Sequence, residues 1–507
     1  MKKILPVFIS ILPICIIAVS GCNKKPTTGG ELTIDIYATN DIHGQVEGEG
    51  SSIDLLTFGT FMKNMGKKDN TLLLDQGDTW QGSIYSNYNH GALINDVMCE
   101  ARYSARTVGN HDFDWGVDYI TANTKREYNG YTIPVLAANV YDYDFDSKTV
   151  GTTQQSDIGQ KSVTYTLKNG LKVGIVGTIG QDQITSISSN YVTELTFTNH
   201  IEVMKEEAQK LKEEGCNVLI GCVHAGDSDV RGYGLSKYYD LVLCGHTHQS
   251  EVKLEGNTYF AQFGANNFYI GHIQLTYDQN KRVIVDSTVD TLTEQRVKSA
   301  VNGKYDSEIA SIVDKYKAEC ESEAYTVLAN NVTGVFDYNV EAPNIMCRAV
   351  LDEAISEGYD DVILSYCNKG RNKLPYGQWT LADIYETFPF DNQVYIAEIK
   401  GSDIAYEICN YNNICINSSF DGHFERDKTY KIACLDYLLF HTNVYRDYDY
   451  FPTFNQETIQ VLDKNYREIL RSWLISNGYN EGKELNPNEF SSYVYPYNRK
   501  LLVETGW

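Results

Sequence analysis

Residues 109–116 read GNHDFDWG, and the fold turns on what this stretch is for. An Asn, a His and two Asp between turn-forming glycines are too polar to make a core, so they are solvated, cap an element or hold an ion. Which of these applies depends on what else the chain brings to the same place.

Outward from this stretch, apolar runs of strand length alternate with longer helical patterns from Glu31 onward, which is the signature of an α/β fold. ELTIDIYATND alternates apolar and polar residues. NTLLLDQGD, LKVGIVGTIG, NVLIGCVHAG and DLVLCGHTHQ are continuous apolar runs suited to strands covered on both faces. HIEVMKEEAQKLKEEGCN, between two of these runs, spaces its apolar residues at about the helical period of 3.6 and ends at Gly215, which predicts an amphipathic helix. GIVGTIG lacks the full GxGxxG pattern and reads as a strand with its turn, not as a dinucleotide loop.

Polar motifs mostly follow the apolar runs. TNDIHG supplies Asp41 and His43, DQGD supplies Asp78, and GNHD supplies Asn110 and His111; VHAGD adds His224, and CGHTH adds His246 and His248. Five of the ten histidines lie in these loops, each near a glycine that lets the chain turn sharply. Loops beyond the strand ends of an α/β sheet form its ligand crevice. Carboxylate, imidazole and amide oxygen without thiolate make a coherent donor set for divalent cations. There are too many donors for one catalytic ion that keeps an open position, whereas two ions sharing a bridging carboxylate use them all. Cys222 and Cys244 each precede a candidate His by two residues, and both read as buried core thiols.

The ordered set ND-x-HG, GD, GNHD, H and GHTH resembles the calcineurin-like metallophosphoesterases, and specifically the exported bacterial 5'-nucleotidase family. The resemblance extends to FPFDN and an Asp-Tyr-Leu segment in the second half of the chain. It implies an α/β fold with an N-terminal β-sandwich flanked by helices and a smaller C-terminal α/β domain. It also implies two divalent metal ions (Mn, Zn or Co), with Asp41, His43 and His248 on the first, Asn110, His224 and His246 on the second, and Asp78 bridging. His111 then acts on the leaving oxygen, with Asp114 orienting its ring. Asp112 stands where the family often has Glu, a difference expected to matter little. For the substrate, the resemblance implies Arg371, the aromatic pair Phe390 and Tyr437, Asn392, and Asp449. The glycines expected before Arg371 are largely absent from YCNKGRNKLPYG, and NVYRDYDYFPTF replaces an expected glycine-rich GGDGY.

The implied activity is a metal-dependent phosphoric ester hydrolase that releases phosphate from extracellular nucleoside monophosphates, serving nucleoside and phosphate salvage. A 2',3'-cyclic-nucleotide phosphodiesterase or a UDP-sugar hydrolase is the near alternative, since the altered loops are where these would differ. A catalytically inactive surface binding protein is the alternative of another class, and the intact ligand set argues against it.

The formal charge of -24 argues against nucleic acid and anionic membrane surfaces as partners. An anionic substrate therefore needs a local positive centre. Two lysines, an apolar run from Ile4 to Val19 shorter than a membrane span, and VSGC resemble a bacterial lipoprotein signal. Residues 1–21 are thus expected to be the signal, Cys22 the lipidated residue and residues 22–30 a flexible tether. The expected location is the outer face of a bacterial membrane, at the cell surface or in the periplasm. The metallophosphoesterase domain is expected over residues 31–300, a helical connector that lets the domains close on substrate over 301–325, and the substrate-binding domain over 326–507. The 12 cysteines form no CxxC pair and read mostly as free thiols, with Cys409 and Cys415 close enough in sequence to pair.

Overall fold

A computed structural model describes residues 30–48, 50–410, 414–420, 424–491 and 494–495. The expected signal, Cys22, almost all of the tether and the Cys409 side chain lie outside the described residues. No described helix is long and apolar enough to cross a membrane.

Two six-stranded sheets face each other in the first domain. In one, Glu31–Thr39 runs parallel to Thr71–Asp75, which leads on to Ala105–Thr107 and Val135–Leu136; in the other, Lys172–Ile179, Val218–His224, Leu241–Cys244 and Thr258–Phe263 are parallel neighbours. The sequence pattern dictates this pairing of layers. Ile34, Ile36 and Ala38, alternate residues of one strand, meet Ile175, Ile220, Cys222 and Leu243 from the other sheet in one buried cluster. Helix His200–Glu213 covers the outer face of the second sheet, where Met204, Ala208 and Leu211 pack with Cys244. The Asn199 side chain caps it by accepting the Glu202 N–H, and Gly215 beyond its end takes a φ of 86°.

The parallel strands place the polar motifs at one end of the sandwich. Asp41 and His43 follow the Glu31–Thr39 strand, Asp78 follows Thr71–Asp75, and Asn110 follows Ala105–Thr107. His224 ends its own strand, while His246 and His248 follow Leu241–Cys244. The second domain contains a sheet in which Val394–Lys400, Thr429–Leu435 and Val362–Tyr366 are neighbours, backed by helix Glu341–Ser356, against which helix Tyr466–Ser476 packs.

The expected connector is a packed helix, Ser307–Ala324. Asp306 caps it, and Ile309, Ile312, Val313, Tyr316, Cys320 and Ala324 are buried along it. One apolar cluster runs from the first domain through these residues into the second. Lys63 fastens the start of the helix, its Nζ lying 2.6 Å from both Glu100 and Asp306. All nine described cysteines are free thiols, Cys415 among them.

Lys63 is 9 % exposed, so Lys63→Met leaves the buried Glu100 carboxylate without its cation and Asp306 with only the exposed Lys67, 3.7 Å away. The expected loss is about 2–3 kcal/mol, at or just below the lower bound of about 3 kcal/mol for breaking a buried ion pair. Denaturant melts at pH 7 measure it. Burial opposes the charged form of Asp306, but Lys63 and the N–H groups of Ile309 and Glu308 outweigh it and hold the carboxyl below its usual range. A lowered acid contributes its stability above its unfolded-state pKa and loses it as pH falls, so the difference between variant and wild type is expected to shrink below about pH 4.

Candidate active site

The strand ends force the chain into unusual backbone conformations. Asp41, His43, Asp78, His246 and His248 have φ of 50°, 51°, 52°, 76° and 57°, the left-handed region that non-glycine residues seldom occupy. Gly77 and Gly109 make the crowding possible. A Cβ on Gly109 would lie 2.2 Å from Asp78 Oδ1, and one on Gly77 would lie 2.6 Å from the Gly109 nitrogen. The glycines around these motifs therefore let neighbouring loops pack backbone to backbone.

Asp41, His43 and His248 bring donor atoms within 4.8 Å of one another, and Asp78, His224 and His246 do the same beside them. Asp78 touches both groups, its Oδ2 lying 3.2 Å from His224 Nε2 and 3.8 Å from His43 Nε2. Asn110 Oδ1 completes the second group, 3.0 Å from both His224 Nε2 and His246 Nδ1. The rings are oriented from behind: His224 Nδ1 meets the Gln76 carbonyl at 2.8 Å and His43 Nδ1 meets the Gln81 carbonyl at 3.1 Å.

The donor set fits divalent cations. His43 Nε2 and His248 Nε2 face each other at 3.0 Å. Burial pushes His246 and His248 down to about 4, so both rings are neutral at pH 7 and offer lone pairs. Burial also pushes the Asp41 carboxyl up to about 7, the mark of a carboxylate enclosed without a sufficient counter-charge. Nitrogen and oxygen donors without thiolate suit Mn, Zn or Co. Cys222 and Cys244 are fully buried or nearly so and belong to neither group.

His111 sits beside this centre. Its backbone N–H donates to Asp78 Oδ1 at 2.8 Å, and its Nδ1 meets Asp114 Oδ2 at 2.8 Å. Its Nε2 lies 3.3 Å from an Arg371 nitrogen of the second domain. Since the guanidinium can only donate, Nε2 accepts there and the Nδ1 proton points at Asp114. Burial opposes the imidazolium, but Asp114 and Asp78 outweigh it and raise the ring's pKa.

Asp112 has a structural role that the sequence did not reveal. It is fully buried, pairs with the equally buried Arg106 at 3.3 Å, and accepts the N–H groups of Gly109 (2.8 Å) and Thr79 (3.1 Å). The Arg106 guanidinium lies 3.7 Å over the Trp80 ring. Asp112 thus ties the Asp78 loop to the Asn110 loop, and its shorter side chain reaches a cation placed beneath it.

A cavity of about 520 Å³ leads from Asn110, His111 and His246 into the second domain, between Phe390, Asn392, Tyr437 and Tyr450. Phe390 stacks on His111 (ring centroids 5.2 Å apart, planes 25° apart), and the Arg371 guanidinium lies 5.2 Å from the Phe390 ring. Asn392 is 6 % exposed, and its Nδ2 has no partner among the described residues. Asp449 is not brought to this cavity. Its side chain is about half exposed and its carboxylate lies 3.6 Å from His441, whereas the next residue, Tyr450, lines the cavity.

The motifs did not reveal Tyr191, Tyr366 and Tyr450 as lining residues, because none sits in a recognisable pattern. Asp436 of the Asp-Tyr-Leu segment is an anchor; it is buried, takes the Tyr191 hydroxyl at 2.8 Å and the Tyr437 N–H at 2.6 Å, and so joins the domains. A second cavity, of about 300 Å³, adjoins His43 and His248 on the other side of Arg371 and Phe390.

Residues 34–250, which contain every ligand described above, match the calcineurin-like phosphoesterase family. The chain carries a calcineurin-like phosphoesterase domain. Phosphoesterases of this family use two divalent metals, and the two donor groups of this domain are the candidates to hold them. The chain is 25% identical over 435 residues to a snake venom 5'-nucleotidase of Crotalus adamanteus, covering 76% of this chain and 71% of that one. Its fold is similar to that of a 5'-nucleotidase precursor from Thermus thermophilus (TM-score 0.68, 17% identity, 90% of this chain and 97% of that one). A putative 5'-nucleotidase from Staphylococcus aureus gives 0.65 at 18% identity, covering 88% and 98%. The protein is a metal-dependent phosphoric ester hydrolase.

Because Asp78 reaches both donor groups, Asp78→Asn is expected to lower bound metal from two ions per chain to one or fewer. Elemental analysis of the purified phosphoesterase after dialysis measures this. Two retained ions would rule out a bridging role.

Proposed function

We propose that the protein is a 5'-nucleotidase, removing phosphate from nucleoside monophosphates. The observation that carries this is the continuity of the larger cavity, which joins the metal-ligand cluster and His111 to the rings of Phe390, Tyr437 and Tyr450. A phosphate placed beside the clusters leaves the nucleoside within reach of the rings. Stacking on such rings selects bases without choosing among them, and the Asn392 amide offers a donor to a base edge.

When bound, two cations supply an activated water and neutralise charge on the phosphoryl oxygens. The remaining steps belong to the chain. Arg371 neutralises the phosphate from the second domain and anchors it against His111. With Arg371 turned from Nε2 to the phosphate, His111 is free to take up a proton at Nε2, favoured by Asp114 and Asp78 against burial, and as the imidazolium it donates that proton to the departing nucleoside oxygen. Phe390 packs over the same ring and helps to exclude water from it. The local cations also answer how a chain of charge -24 attracts an anionic substrate.

The second cavity supports a second reading, in which a further substituent on phosphorus, such as the sugar of a UDP-sugar, lies beside His43 and His248. The leader and Cys22 support an exported, lipid-anchored enzyme engaged in nucleoside and phosphate salvage, and Cys22→Ala is expected to release the protein from the membrane fraction.

Phosphate release is the deciding assay. A chain beginning at Glu31, stripped with chelator and resupplied with Mn, Zn, Co or Mg, is expected to hydrolyse AMP and UMP. His111→Ala is expected to lower kcat by about 10²–10⁴-fold, the range for losing a positioned general acid. Tyr437→Ala is expected to raise KM for AMP about 10-fold, in line with about 1–3 kcal/mol for a ring stacked on a base, and to leave a small alkyl phosphate unaffected. Activity confined to UDP-glucose or 2',3'-cyclic AMP moves the specificity to the second reading, and inactivity with every metal overturns both.

A further inference from the structure

The segment that replaces the expected glycine-rich loop, NVYRDYDYFPTF, is folded tightly. Asn443 N–H donates to the Asp447 carbonyl at 3.0 Å, and Arg446 N–H donates to the Asn443 carbonyl at 2.8 Å. The Asn443 side-chain oxygen accepts the N–H groups of Tyr445 and Asp447 at 2.9 and 3.2 Å. Arg446, near its tip, has a φ of 65°.

Two neighbours in this loop behave oppositely. Tyr445 is 75 % exposed, whereas Arg446 is 2 % exposed. Arg446 crosses the domain boundary to do this. Its Nη2 donates to the Val192 carbonyl at 2.8 Å, and its guanidinium carbon lies 5.4 Å from the Tyr143 ring and 5.2 Å from the Phe145 ring of the first domain. Its Nε and Nη1 have no polar partner among the described residues. A guanidinium buried this way gives up its hydration for one carbonyl and two ring faces. Around it, Lys148 pairs with Asp447, and Ser189 N–H donates to the Phe440 carbonyl at 3.2 Å.

The same loop carries a wall of the larger cavity. Tyr450 lines it, His441 stacks on Tyr450 at 4.3 Å, and Tyr437 meets His441 edge-on at 5.4 Å. A left-handed backbone and a dehydrated cation are both unfavourable by themselves, and both persist here where they dock the loop on the opposite domain.

We propose that Arg446 is a positioning residue which pins the 440–450 loop to the Tyr143–Phe145 hairpin, so that Tyr437 and Tyr450 are set over the metal-ligand cluster before substrate arrives. This rests on the reading of that cavity as the nucleoside site. Arg446 touches no reacting atom, so its loss acts on substrate capture and leaves the chemical step alone.

The test compares wild type, Arg446→Met, Arg446→Lys, Tyr143→Leu and the Arg446→Met/Tyr143→Leu double variant on AMP and on a small alkyl phosphate. Arg446→Met is expected to raise KM for AMP about 10-fold, with kcat within twofold and the alkyl phosphate unaffected. Arg446→Lys, which keeps a cation between the rings, restores part of the loss. Tyr143→Leu gives the same change, and the double variant is no worse than either single one. An unchanged KM in folded Arg446→Met, or an equal fall in kcat on both substrates, overturns the proposal. A wild type that does not prefer AMP to the alkyl phosphate removes the nucleoside reading, and the pinning is then decided without catalysis. Spin labels at Tyr119 and Tyr406, exposed positions on the two domains, should give one narrow distance in wild type and a broader distribution in Arg446→Met. An unchanged distribution overturns the pinning.

Discussion

Two carboxylates buried among imidazoles are the constraint on which the rest of the structure depends. Asp41 and Asp78 are 0 % and 1 % exposed, and carboxylates removed from water need cations close by. Placing a carboxylate between two donor groups requires five loops to converge within hydrogen-bonding distance, and this explains the left-handed backbone at so many ligands. The surrounding sheets supply the rigidity that holds those conformations. Parallel strands buried on both faces deliver their C-terminal ends to one edge, and the core between the sheets leaves them little freedom to shift.

The supporting polar groups are as specific as the ligands. Gln76 and Gln81 fix ring tautomers through their carbonyls, and the buried Arg106–Asp112 pair locks the Asp78 and Asn110 loops together. This second layer turns a collection of donors into a site whose geometry survives thermal motion.

The second domain meets the first through directed polar contacts. Trp115 Nε1 donates to Asp391 at 2.6 Å, Asn87 donates to the Pro389 carbonyl at 2.6 Å, and Tyr191 donates to Asp436 at 2.8 Å. Each involves a residue one or two positions from a cavity-lining side chain, or a cavity-lining residue itself. The connector helix, which the sequence suggested as a means of closure, is packed along its buried face, so any relative movement of the domains has to break these contacts and not merely bend a linker.

Strand periodicity, the turn glycines and the donor residues were legible in the sequence, because each depends on the local chain: a run of Val, Ile and Leu, a glycine at a turn, an Asn-His pair after a strand. Order along the chain was enough to suggest the donors, whereas the pairing of Asp41 with His248 and of Asn110 with His224 was implied only by the family resemblance and follows in the structure from where the parallel strands end. The partners of Asp112, the inward turn of Arg446, and the choice of Tyr450 over Asp449 as a cavity wall were decided only by tertiary structure. Those contacts join residues far apart in sequence, 254 positions in the case of Arg446 and Val192, and a buried polar side chain's role is set by whatever group the fold brings to it.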